Sequence, residues 1–213
     1  MMPPPQHVIA ETRAWLVRSV IGLNLCPFAK AVHARNQVRY VVSSATNSDT
    51  LRAELCAEMH LLVAADPALV DTTVLIHPEV LQGFLDFNDF LDVADDALKT
   101  EGLEGVLQVA SFHPLFQFAG TRPDEVANAT NRSPYPTLHL LREQSVDRAV
   151  AAGPTAEAIC EANQCTLHAL GAEGWAALQA QCKADAEQQE GPGRSALKDK
   201  GPAAQRATGP EWS

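Results

Sequence analysis

Two dipeptides, His77-Pro78 and His113-Pro114, repeat at the ends of two apolar runs, residues 72–76 and 106–112, that read as β-strands. An imidazole titrates near neutral pH and can pass a proton or ligate a metal. Ligands on open α/β sheets gather beyond the carboxyl ends of parallel strands, where a proline also halts strand pairing. If the two strands are neighbours, His77 and His113 share a crevice as acid and base, and a divalent metal between the imidazoles is the cofactor such a pair would admit. A proline after a strand is equally an ordinary chain terminator, and a histidine at that edge is often only hydrogen-bonded.

The stretch that follows His113 holds the densest set of directional polar groups in the chain: Asp124, Asn128, Asn131, Arg132, Ser133, His139 and Arg142. Arg132 and Arg142 have the planar fork that grips a carboxylate or phosphate with two hydrogen bonds. With Asn131 and His139 in support they suit a small anionic ligand, and with His113 and His77 as catalytic groups they suit a hydrolase or transferase acting on an anionic metabolite. The competing reading is a loop stiffened by Pro114, Pro123, Pro134 and Pro136 and tied down by its own polar side chains. Strand alternation over residues 137–141 sets Thr137, His139 and Leu141 on one face and Leu138, Leu140 and Arg142 on the other, which separates His139 from Arg142.

Cys26, in Asn24-Leu25-Cys26-Pro27-Phe28, would be a nucleophile if a neighbouring cation lowered its pKa. Its apolar flanks and its place after a helix C-terminus favour a packed thiol instead. Cys160 and Cys165 are five apart on a predicted helix and so face different ways. Five scattered cysteines without a C-x-x-C pair indicate neither a disulfide framework nor a zinc ribbon. G-x-x-x-x-G-K-[ST], G-x-G-x-x-G and H-E-x-x-H are all absent.

Acidity is concentrated. Residues 49–104 carry thirteen Asp or Glu against Arg52 and Lys99, within a chain of net charge -10. Five of those carboxylates, Asp86, Asp89, Asp92, Asp95 and Asp96, lie on a helix whose other face is Phe87, Phe90, Leu91, Ala94 and Leu98. Their spacing lacks the calcium-loop pattern. A solvated face is the simplest account. A second functional class is a non-catalytic adaptor in which helix 86–101 meets a basic partner.

The elements that position these groups follow from periodicity. Helices are expected over residues 8–22, 49–65, 86–100, 146–152, 156–170 and about 175–186, and strands over 38–42, 72–76, 106–112 and 137–141. Ser48 or Asp49 is the expected N-cap of the second helix. The alternation predicts an α/β sandwich of about four strands with helices packed on the sheet, partly parallel, its strand order unread. One domain over residues 8–182 is expected, between a flexible residue 1–7 segment and a disordered 183–213 tail poor in large apolar residues. The acidic balance opposes nucleic-acid binding, and no run is long and apolar enough to cross a membrane. With no secretory signal in MMPPPQHVIAETR, a cytoplasmic location is expected.

GLNLCPFAK at 22–30, QVRYVV at 37–42, ASFHPLFQF at 110–118, NRSPYPTLHLLRE at 131–143 and EGWAAL at 173–178 together resemble an uncharacterised, mainly bacterial family known as domain of unknown function 1415. The resemblance spans residues 8–180. It implies cytosolic occurrence and brings no assigned catalytic residue with it.

Overall fold

The computed structural model describes residues 3–151 and 153–190. Four strands, β1 (Val38–Val42), β2 (Thr72–Ile76), β3 (Leu107–Phe112) and β4 (Thr137–Arg142), form one sheet in the order β1-β2-β4-β3. β1 and β2 pair in parallel, and β4 runs antiparallel to both β2 and β3. The first three strands therefore point the same way, as helical crossovers require, but β4 lies between β2 and β3. β2 is buried at all five positions, as a central strand covered on both faces must be.

One face of the sheet carries α3 (Ser48–Ala64) and α4 (Phe84–Thr100). Leu51, Leu55, Met59 and Leu62 recur at helical spacing along α3 and are buried with Phe87, Phe90, Ala94 and Leu98 of α4 over Leu75, Leu107, Leu138 and Leu140. Val63 does not join that stripe and is exposed. The other face carries α1 (Pro5–Trp15), which continues into a π-helical segment, Leu16–Ile21. Trp15 meets Phe112 edge to face there, with centroids 5.3 Å apart, and Val8 packs on Val74 and Ile76. The helix expected to start at residue 8 starts at Pro5, because proline is tolerated in a first turn.

A short α2 (Ala29–Ala34), not read from the sequence, precedes β1. α5 (Glu143–Ala151) leaves β4 directly, and α6 (Ala156–Glu190) packs against α1 and against a 3-10 helix, Val126–Asn131, in the proline-rich loop. Gly171 breaks α6 with φ 70° and ψ 174°, a conformation essentially reserved for glycine. Helix continues past residue 182 to Glu190, so residues 183–190 are helical where a disordered tail was expected; the rest of that expected tail, from residue 191, lies outside the described residues.

The N-cap of α3 is Asn47, one residue earlier than expected. Its Oδ1 accepts from the Thr50 N–H at 2.9 Å and from the Thr50 hydroxyl at 2.6 Å. Asn47→Ala leaves that N–H to water and is expected to cost about 1 kcal/mol in urea unfolding.

Candidate functional site

β2 and β3 end at the same edge of the sheet, and their terminal histidines converge on one aromatic ring. His77 stacks on Phe87 at 5.7 Å between centroids and His113 lies 5.0 Å from the same ring. Both imidazoles are fully buried. Each is bonded to the loop that joins β2 to α4: His77 Nδ1 to the Val80 carbonyl at 3.1 Å, His113 Nε2 to the Leu81 carbonyl at 3.2 Å. A carbonyl only accepts, so each of those nitrogens carries the proton. His113 Nδ1 in turn accepts from the Leu115 N–H at 3.0 Å, which leaves His113 a satisfied neutral ring. His77 Nε2 is buried without a protein partner. Burial lowers the pKa of both, to about 4 for His77. The loop they hold is bent at Leu81, whose φ of 58° is unusual for a branched side chain.

The remaining candidates divide into two locations. Asn131 and Arg132 stand near His113, but their donors are turned to backbone. The Asn131 carbonyl accepts from the His113 N–H at 3.1 Å and its side-chain amide donates to the Ser111 carbonyl at 3.2 Å. Arg132 donates to the Phe116 carbonyl at 3.2 Å and to the Pro123 carbonyl at 2.6 Å. Asn128, fully buried, accepts from the Phe118 N–H and donates to the Arg122 carbonyl. Each of these bonds fixes the course of the 114–136 loop.

His139 and Arg142 are elsewhere. The register puts Thr137 opposite Ile76 and Phe112, and Arg142 opposite Leu107, so Arg142 lies at the far end of β4 from His77 and His113. There its Nη2 donates to the Ala65 carbonyl at 2.8 Å, to the Val70 carbonyl at 3.3 Å and to the Leu62 carbonyl, closing the C-terminus of α3. His139 faces the α1 side, beside Phe112. Its Nε2 is 2.6 Å from the Thr72 hydroxyl, which donates its one proton to the Leu140 carbonyl at 2.5 Å, so the imidazole is the donor. Desolvation holds His139 at about 4. His77, His113, Arg132 and Arg142 thus do not line one cleft. Among the described residues, no three His, Cys, Asp or Glu side chains are grouped as a metal site requires.

What opens to solvent at the carboxyl edge of β1 and β2 is a groove of about 700 Å³ between the β1–α3 and β2–α4 loops. Asn47, Val80, Leu81 and Phe90 line it together with Asp86 and Asp89 from the first turns of α4. Downstream of it Asp92, Asp95 and Asp96 continue along the exposed side of the same helix, and Lys99 bonds Asp96 at 3.3 Å. The groove was not read from the sequence; the signal for it was the polar run Thr46-Asn47-Ser48, facing the acidic start of α4. A second buried polar contact was also missed, the Tyr135 hydroxyl donating to Glu11 Oε2 at 2.6 Å. Glu11 stands three residues from Val8 on the buried side of α1, and a carboxylate at such a position requires a donor.

A family model described as protein of unknown function (DUF1415) matches residues 7–177. The chain belongs to the DUF1415 family. No curated protein and no solved structure matches it. Within the DUF1415 match lie every one of the six candidates, the groove and the acidic helix. No helix among the described residues is long and apolar enough to cross a membrane.

Proposed function

We propose that this domain is a binding module that engages a basic, partly apolar protein segment along the exposed side of α4 and in the groove at its N-terminus. One observation carries the reading: Asp86, Asp89, Asp92, Asp95 and Asp96 are all exposed on one helix, and Lys99 beside Asp96 is the one cation paired with any of them among the described residues. Like charges at three- and four-residue spacing destabilise an isolated helix. A cationic ligand relieves that repulsion and gains from the half-buried apolar side chains that line the groove, Leu81 and Val93. Catalysis on a small anion, the other reading of the sequence, has less support, because the guanidinium groups meant for the anion bond to backbone carbonyls instead.

A fluorescent peptide alternating lysine and leucine is the probe. It is expected to bind the native protein with an affinity that falls as salt rises. Asp86→Asn, Asp89→Asn, Asp92→Asn and Asp95→Asn together should weaken it at least about tenfold, or 1.4 kcal/mol. The charge-matched control is Glu157→Gln, Glu161→Gln, Glu173→Gln and Glu187→Gln on α6, which should leave binding within about twofold. Equal losses in the two variants would show a general charge effect and defeat the proposal.

A further inference from the structure

β1 is an edge strand. Val38–Val42 bond to β2 on one side, and no other backbone hydrogen bond reaches them among the described residues. The outward N–H and C=O groups of such a strand are a template for another strand. An edge is normally guarded by an inward or exposed charge, and Arg39 is in that position, its side chain 42 % exposed. Here the guard has counter-charges on its own face of the sheet. Arg39 is held by Glu58 of α3 through two bonds, Nε to Oε2 at 3.0 Å and Nη2 to Oε1 at 2.9 Å, which leaves Nη1 uncommitted.

One turn before Glu58, Glu54 is within 3.2 Å of the Ser44 hydroxyl and pairs with no cation among the described residues. Glu54, Glu58, Val41, Val42, Ala57 and Leu75 line a recess of about 220 Å³ directly beside the strand.

We infer that β1 pairs antiparallel with β1 of a second copy of this chain, about a two-fold axis at Tyr40, with Arg39 of each copy set against Glu54 of the other. The register follows from symmetry. In an isologous pair centred on residue 40, position 39 of one strand lies opposite position 41 of the other. Arg39 and Val41 both face α3, the one bonded to Glu58 and the other packed on the α3–α4 core. Arg39 of the second copy therefore arrives beside Val41, at the mouth of the recess that Glu54 lines. The two four-stranded sheets become one of eight, and each copy supplies both halves of the charge pair. A basic peptide lying in the same place is the other occupant this edge admits, and mixing two charge-reversed variants tells the two apart. The β1 edge and the acidic side of α4 are separate surfaces, so either inference can fail alone.

Sedimentation equilibrium of the whole chain at about 100 μM should show a dimer, because small interfaces are populated only at such concentrations. Glu54→Lys alone and Arg39→Glu alone each place like charges at both contacts and should weaken the dimer at least about tenfold. In an equimolar mixture of the two variants, the carboxylate introduced in one copy meets the ammonium introduced in the other. The unchanged Arg39 likewise meets the unchanged Glu54, so the mixture should regain the wild-type association. A monomeric wild-type protein, undiminished dimers of Glu54→Lys, or a mixture that stays monomeric would each overturn the inference. Should Arg39→Glu fail to fold by circular dichroism, wild-type hydrogen exchange decides: the amides of Val38, Tyr40 and Val42, which alternate with those turned to β2, must slow between about 2 and 100 μM.

Discussion

Lowering the pH from 7 to about 4.5 should strip several kcal/mol from the stability of the fold, before most carboxylates are protonated. The cause is three imidazoles that the structure keeps neutral. Burial lowers the pKa of His77 and His139 to about 4, and that of His113 in the same direction. A histidine in the unfolded chain titrates near 6.5, so above that value both states are neutral and the stabilisation is complete. As pH falls through 6.5 the unfolded chain takes up protons that the folded one refuses, and stability drops until the folded pKa is reached. For a pKa displaced from 6.5 to about 4 the full loss is about 3 kcal/mol per group. His77 shows why the fold refuses the proton: Nδ1–H is already committed to the Val80 carbonyl, and a proton on Nε2 would sit in a buried place with no acceptor. Urea unfolding at half-unit pH steps measures the slope. His77→Asn keeps a donor for the Val80 carbonyl and removes the titrating group, so its slope between pH 6.5 and 4.5 should fall by about one proton. A slope unchanged by that substitution would assign the acid sensitivity to other groups.

Arg142→Ala is expected to cost about 3 kcal/mol, more than most single substitutions. Its Nη2 serves three carbonyls, those of Leu62 and Ala65 at the end of α3 and that of Val70 in the approach to β2. Helix C-termini leave such oxygens without partners, and a cation there also meets the negative end of the helix dipole. Removing the side chain strands the Ala65 and Val70 oxygens, leaves the Leu62 oxygen only the Ala65 N–H at 3.2 Å, and loosens the α3–β2 connection. Arg142→Lys keeps the charge but is a point donor on a different stem, and should recover less than half of the loss. Thermal and urea unfolding of the two variants side by side checks both numbers.

The strands were the most legible part of the sequence. β1 and β2 fall where β-branched runs put them, residues 38–42 and 72–76, and alternation in β4 correctly sends His139 and Arg142 to opposite faces. Local pattern contains no information on which strands become neighbours, so the insertion of β4 between β2 and β3 was out of reach. The six site candidates show a related limit. Residue type tells that Arg132 is a fork of donors, but a fork accepts a phosphate or two carbonyls equally well, and only the path of residues 116–123 decides which. Likewise the repeated His-Pro ending put His77 and His113 at the ends of two strands and made a shared crevice conditional on those strands being neighbours; β4 separates them, and their meeting at Phe87 and the loop that occupies both rings depend on the strand order and the turn at Leu81.

The position of β4 also dictates an order of assembly. A chain emerging from a ribosome has the residues of β1, β2 and β3 by residue 112, yet in the finished sheet β2 and β3 are separated by the width of one strand, β4, which is not yet made. That gap closes only when residues 137–142 arrive, after the whole proline-rich loop has been made. Until then two apolar strands present bare edges on facing sides, the condition under which nascent chains associate wrongly. A truncation anywhere before Thr137 should therefore yield insoluble protein rather than a smaller folded domain, and the last strand is the keystone of the sheet.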